Sequence, residues 1–130
     1  MNLESPIVTV SKSSAYLFDA LSDIKNFEKL MPENIAKFEV IDENCFEFGL
    51  KGMPEIKLIK KSATPNTEVV LGAASSKLPF TLIAKLDEKT TEETNVQLFF
   101  EGDFNPMMAM MIKGPIGKFI ETLAQNMVKL

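Results

Sequence analysis

Chemistry in this chain has few side chains to work with. Among its 130 residues there is no His, no Arg and no Trp. That removes the commonest general base, the commonest metal ligand and the guanidinium fork that grips phosphate. What remains is one Tyr, one Cys, 18 carboxylates and 14 lysines. Tyr16 precedes the apolar pair Leu17 and Phe18, which places its hydroxyl at the surface of a short helix. Cys45 opens a strand on the face opposite Phe46, with no basic neighbour to lower its pKa, and reads as an inert thiol. Glu101 and Asp103 lie two apart and so share a strand face, where they could mimic a carboxylate pair. That face reads as the outer one, where charges only solvate. Lys60-Lys61 is the densest basic cluster; neighbours on a strand point to opposite faces, and both read as solvated surface. No catalytic constellation, metal site or cofactor site emerges from these groups.

The residues that do suggest a function are apolar. Met107, Met108, Met110 and Met111 cluster near the start of a C-terminal helix, and unbranched thioether side chains adapt to different apolar partners. The plainer reading is that methionine fills an irregular core. Four residues on, Gly114-Pro115 interrupts the same helix. A proline there removes a backbone donor and clashes with the carbonyl four residues earlier, so a kink or break is expected. Such a break could act as a gate, or it could be a static bend that follows a curved sheet.

That helix is the element the chain is organised around. Asn105 can cap its free amides and Pro106 suits its first position. Met108, Ile112, Ile116, Phe119, Leu123 and Met127 then recur at spacings of three and four, an apolar stripe along about seven turns. The stripe needs a partner surface. Upstream, Ser5 to Val10 reads as a strand in which Pro6 marks an edge or places the start of pairing after it, and Leu17, Phe18, Leu21 and Ile24 mark a short amphipathic helix that ends near Ser22-Asp23. A further turn and a half carries Phe27, Leu30 and Met31 inward before Pro32.

Beyond Pro32 the period changes to two. Phe38 and Val40 alternate with charged residues, Asp42 to Asn44 turns the chain, and Phe46, Phe48 and Leu50 alternate again. After turns at Lys51 to Pro54 and Thr64 to Thr67, strands follow at Glu55 to Lys60 and Glu68 to Leu71. Gly72 to Pro79 reads as loop, Phe80 to Leu86 as strand, Asp87 to Thr94 as a hairpin connection, and Asn95 to Asp103 as the last strand, with Gly102 as a possible bulge. The expected fold is α+β: a curved, seven-stranded antiparallel sheet in the order β-α-α-β6-α, gripping the long C-terminal helix as one domain over residues 1–130.

Composition narrows the partners. A formal charge of −4 with no Arg argues against nucleic acid. One Cys cannot form an internal disulfide, and no stretch of 18 apolar residues occurs, so a cytoplasmic protein without stable membrane insertion is expected, as a monomer or weak homodimer.

Local pieces of the sequence resemble a known superfamily. They are Val10, Phe18, Leu21, Asp23 and Asn26 followed by Met31-Pro32, then Glu101-Gly102-Asp103 and Pro106 leading into the helix with Gly114-Pro115. Together with the element order they look like the START-related, Bet v 1-like helix-grip proteins, and most like the small bacterial members grouped with polyketide cyclases and dehydrases. The resemblance implies a hydrophobic cavity between sheet and helix, used for lipids, polyketides or isoprenoid-like molecules. Its catalytic residues vary between branches and none can be carried onto this chain. The expected function is therefore binding of an apolar small molecule, with Phe46, Phe48, Leu82, Leu98, Phe100, Met108, Ile112 and Phe119 lining the site. The alternatives are a polyketide cyclase or dehydrase and a protein-interaction module of the co-chaperone kind.

Overall fold

Alternation of apolar and polar side chains from residue 35 onward produces one antiparallel sheet whose inner face is almost entirely hydrocarbon. The computed structural model describes residues 1–51, 55–73 and 80–130. Its elements are β1 (Asn2–Glu4), β2 (Val8–Val10), α1 (Ser14–Ser22), a 3₁₀ segment (Ile24–Leu30), β3 (Ile35–Asp42), β4 (Cys45–Leu50), β5 (Ile56–Thr64), β6 (Glu68–Ala73), β7 (Phe80–Thr90), β8 (Glu93–Gly102), α2 (Pro106–Asn126) and a closing 3₁₀ turn (Met127–Lys129). The strands lie in the order β1-β8-β7-β6-β5-β4-β3, with β2 also paired to β8. Six strands, β3 to β8, thus each pair antiparallel with the next, and the N-terminal segments return to the free edge of the last.

The seventh expected strand is two short ones. Glu4 faces Phe99 while Val8 faces Val96, so the N-terminal segment carries one extra residue where Ser5-Pro6-Ile7 crosses Gln97 and Leu98. Pro6 has no donor to give the ladder. Ser5 compensates: its amide donates to the Leu98 carbonyl, and its hydroxyl accepts from the Leu98 amide, both at 2.9 Å.

Register puts Phe46, Phe48, Leu58, Leu71, Leu82, Ala84, Leu98 and Phe100 in the core, none more than 5% exposed. At roughly 1.5–3 kcal/mol for each large side chain removed from water, this face is the main stabilising surface. The outer face is polar. There Lys37 Nζ meets Glu47 at 2.6 Å and Glu55 at 3.4 Å across β3, β4 and β5. The Glu47 hydrogen bond raises the Lys37 pKa and the same bond lowers that of Glu47. The group is solvent-screened and adds little to stability.

Three expectations are corrected at the ends of strands. Asp87 to Thr94 is not all connection: β7 runs to Thr90 and β8 begins at Glu93, leaving Thr91 and Glu92 as the turn. Gly72, expected to open a loop that runs to Pro79, belongs to β6, and residues 74–79 of that expectation lie outside the described residues. Gly102 is not a bulge, since it pairs in register with Phe80. A glycine is needed there because a Cβ would collide with the ring of Phe104, which folds back to stack parallel to Phe100 with centroids 6.1 Å apart.

Helix α2 begins as its sequence predicts, with the Asn105 side chain accepting from the Met108 amide at 2.8 Å and Pro106 in the first turn. It then runs unbroken to Asn126 with Pro115 inside it. The missing Pro115 donor affects a turn that faces water, where Met111 is 67% exposed, so solvent can serve the carbonyl left without a partner. No helix of the described residues is long and apolar enough to cross a membrane.

Candidate functional site

The two halves of α2 meet the protein differently. From Ile116 onward, Ile116, Phe119, Ile120, Leu123, Ala124 and Met127 are buried, and Asn126 Nδ2 donates to the Leu30 carbonyl at 2.9 Å, tying the helix end to the 3₁₀ segment. Before Ile116 only Met108, Ala109 and Ile112 are half-buried, while Met107, Met110 and Met111 are 67–84% exposed. The methionine cluster therefore divides: Met108 faces the protein and the other three face water.

Of the eight residues expected to line a site, Phe46, Phe48, Leu82, Leu98 and Phe100 come together on the inner face of the sheet and Phe119 meets them from α2. Aromatic rings connect them. Phe27 lies over Phe46 at 5.3 Å, Phe46 adjoins Phe48 at 6.1 Å, and Phe48 stacks on Phe119 at 4.8 Å with planes 7° apart. A second group, Phe80, Phe100 and Phe104, sits on the β7–β8 side of the sheet. Met108 and Ile112 lie on the looser first half of α2.

Beside the Phe48–Phe119 stack the helix and sheet part. A cleft of about 820 Å³ opens between the loop Met31-Pro32-Glu33-Asn34, the end of β4 at Leu50 and Lys51, and one flank of α2. That flank is Gly114, Pro115, Lys118, Phe119, Thr122 and Asn126, continued by Lys129. The volume falls in the usual range for small-molecule sites. Local structure explains the shape. Pro32 ends the 3₁₀ segment, the Lys51 amide donates to the Asn34 carbonyl at 3.2 Å to close one wall, and Gly114 offers no side chain.

Only Phe119 is both an expected site residue and a wall of this cleft. The remaining lining was not read from sequence as a site: Gly114-Pro115 was singled out only as a break in the helix, and Lys118, Thr122 and Asn126 lie off its apolar stripe. Their spacing of four, directly beside the buried stripe, is the signal that could have marked them.

The reactive groups lie elsewhere. Cys45 is buried, and that burial pushes its thiol pKa up, with Asp42 adding to the effect. Tyr16 is 48% exposed, with Lys12 Nζ 5.1 Å from its ring centre. Glu101 and Asp103 are exposed. Lys60 corrects its sequence reading: it is half-buried and its Nζ donates to the Ser22 carbonyl at 3.2 Å, at the C-terminal end of α1, where a cation is favoured. Among the described residues no cluster of three His, Cys, Asp or Glu could hold a metal ion.

No family model matches the sequence, and no curated protein does. Solved structures match over nearly the whole chain. A START superfamily protein from Mycobacterium smegmatis superposes with a TM-score of 0.75 at 13% identity, covering 98% of this chain and 94% of its own. Norcoclaurine synthase from Thalictrum flavum, in complex with dopamine and hydroxybenzaldehyde, gives 0.72 at 10% identity, covering 99% and 87%. A conserved protein from Geobacillus kaustophilus gives 0.72 at 13% identity, covering 99% and 93%. At such identities the likeness concerns the backbone, and it agrees with the element order, the sheet topology and the placement of α2: the chain has the helix-grip fold of START-related, Bet v 1-like proteins.

Proposed function

We propose that this protein binds an apolar small molecule between the sheet and α2, without catalysing a reaction on it. The observation that carries the reading is the 820 Å³ cleft whose inner wall is Phe119, the ring that stacks on buried Phe48. The ligand's apolar part rests on Phe119 and extends under the looser half of α2, along Met108 and Ile112 toward Phe48 and Phe100, with Phe46, Leu82 and Leu98 behind them. The unbranched thioether of Met108 adapts to the ligand's outline. The structural neighbour from Thalictrum, holding dopamine and hydroxybenzaldehyde, supports the view that this backbone accommodates small organic molecules. The ionisable residues of the cleft, Glu33, Lys51, Lys118 and Lys129, are all exposed. Groups so placed hold a ligand more readily than they manage protons in a dry site. A lone thiol fits a reducing compartment, and a monomer or weak dimer leaves the cleft open.

The test uses the neutral apolar probe N-phenyl-1-naphthylamine on the intact chain. Saturable binding with a dissociation constant of about 1–10 μM is expected, an ordinary magnitude for burying a probe of this size. Thr122→Trp fills the cleft and supplies the protein's sole tryptophan, whose emission reports that the fold is kept. It should weaken the probe by about tenfold or more, the scale of one lost apolar contact surface. Absence of binding by the unmodified chain, to this probe and to a panel of lipids and polyphenols, would overturn the proposal.

A further inference from the structure

The cleft is not electrically neutral. Lys51, Lys118 and Lys129 stand on its walls against a single carboxylate, Glu33, in a protein whose formal charge is −4. These lysines come from separate elements, the end of β4, the middle of α2 and the closing 3₁₀ turn. Folding therefore collects them from positions up to 78 residues apart around one opening. Among the described residues every ion pair within 4.0 Å involves Lys37, so none of the three has a carboxylate partner at that distance. The undescribed stretches, 52–54 and 74–79, contain no Asp or Glu that could supply one.

Four of the other described lysines have a partner. Lys37 sits among three glutamates, Lys60 finds the Ser22 carbonyl, and Lys12 and Lys85 lie over the rings of Tyr16 and Phe99. Three ammonium groups around one concavity repel each other, and an anion placed between them relieves that repulsion. The most buried residues of the lining, Phe119 and Leu50, are apolar. Charge at the rim and hydrocarbon beneath match a molecule built in the same order.

We infer that the ligand is an amphipathic anion, with a hydrocarbon or aromatic body on Phe119 and a carboxylate or phosphate head held by Lys51, Lys118 and Lys129. This rests on the proposed function and adds the chemical class of ligand to it. Lysine suits the task as a point charge on a flexible stem, able to follow heads of different geometry without the fixed fork that Arg would impose. The rim is open to water, so the head's contribution is salt-dependent whereas the body's is not.

The experiment is isothermal titration of the intact chain with ten-carbon ligands that share one tail, each below its critical micelle concentration. The heads are carboxylate, phosphate, alcohol and trimethylammonium. The carboxylate and phosphate arms separate the two possible anions. Anionic heads should bind about tenfold more tightly than the alcohol, and the trimethylammonium head more weakly than it, the spread expected of a few screened charges near a surface. Raising the salt should narrow the difference, and the triple variant Lys51→Gln, Lys118→Gln, Lys129→Gln should abolish it, so that anionic and alcohol heads bind alike. Equal affinities for all four heads would overturn the inference and leave the apolar site standing. Failure of every ligand to bind would instead remove the site itself.

Discussion

Burial decides what Cys45 can do. Its side chain faces away from Phe46 on β4 yet is only 7% exposed, and loss of water raises its pKa above the ordinary thiol value. The native protein should therefore react with a thiol-alkylating reagent at pH 8 at least a hundredfold more slowly than the urea-unfolded chain, measured by mass spectrometry, since the thiolate is the nucleophile. The sign of the pH effect follows. The folded state holds this proton more tightly than the unfolded chain, so the contribution to stability is complete below the ordinary thiol pKa and falls away as pH rises through the raised value. Much of this was readable, because neither neighbour of Cys45 is basic. Lys60 was not readable in the same way: its partner, the Ser22 carbonyl, lies 38 residues away, and nothing local distinguishes it from Lys61.

Elements were legible where a period runs through them. The stripe Ile116, Phe119, Leu123 and Met127 and the Asn105-Pro106 start define α2 from sequence alone. The ends of β7 and β8 were not, since Asp87, Glu88, Lys89 and Thr90 are all exposed and alternation is lost where the hairpin projects beyond the core. Two glycines in α2 give a test at this scale. A Cβ on Gly117 or Gly114 would meet nothing within 4 Å. Gly117→Ala should stabilise the protein by about 1 kcal/mol in urea unfolding, the ordinary difference between these residues inside a helix. Gly114→Ala should give clearly less, because a Cβ before Pro115 resists the helical conformation. Equal gains would mean that the proline imposes no local restriction on α2.

For the whole molecule, the sequence foretold a helix across a sheet more clearly than the space between them. Phe46, Phe48, Leu82, Leu98 and Phe100 share the inner face as their alternation requires. How far α2 stands off that face is set by the Phe48–Phe119 stack, between residues 71 positions apart, and by where Met31 to Asn34 and Leu50 to Lys51 close the sides, joined across 17 positions by the Lys51–Asn34 bond. Pattern within one segment carries no information about such distances. The cleft is the result, and the account of function depends on its occupancy. Amide chemical-shift mapping of the isotope-labelled chain, titrated with N-phenyl-1-naphthylamine, addresses that most directly. Saturable shifts confined to the Met31 to Asn34 loop, Phe48, Leu50, Lys51, Phe100 and the α2 amides from Met108 to Asn126, with Tyr16 and Thr90 to Glu93 unmoved, are the predicted result. Saturable shifts centred on the separate groove formed by Ser11 to Ser13, Tyr16 and Thr90 to Glu93, or none at all, would contradict it.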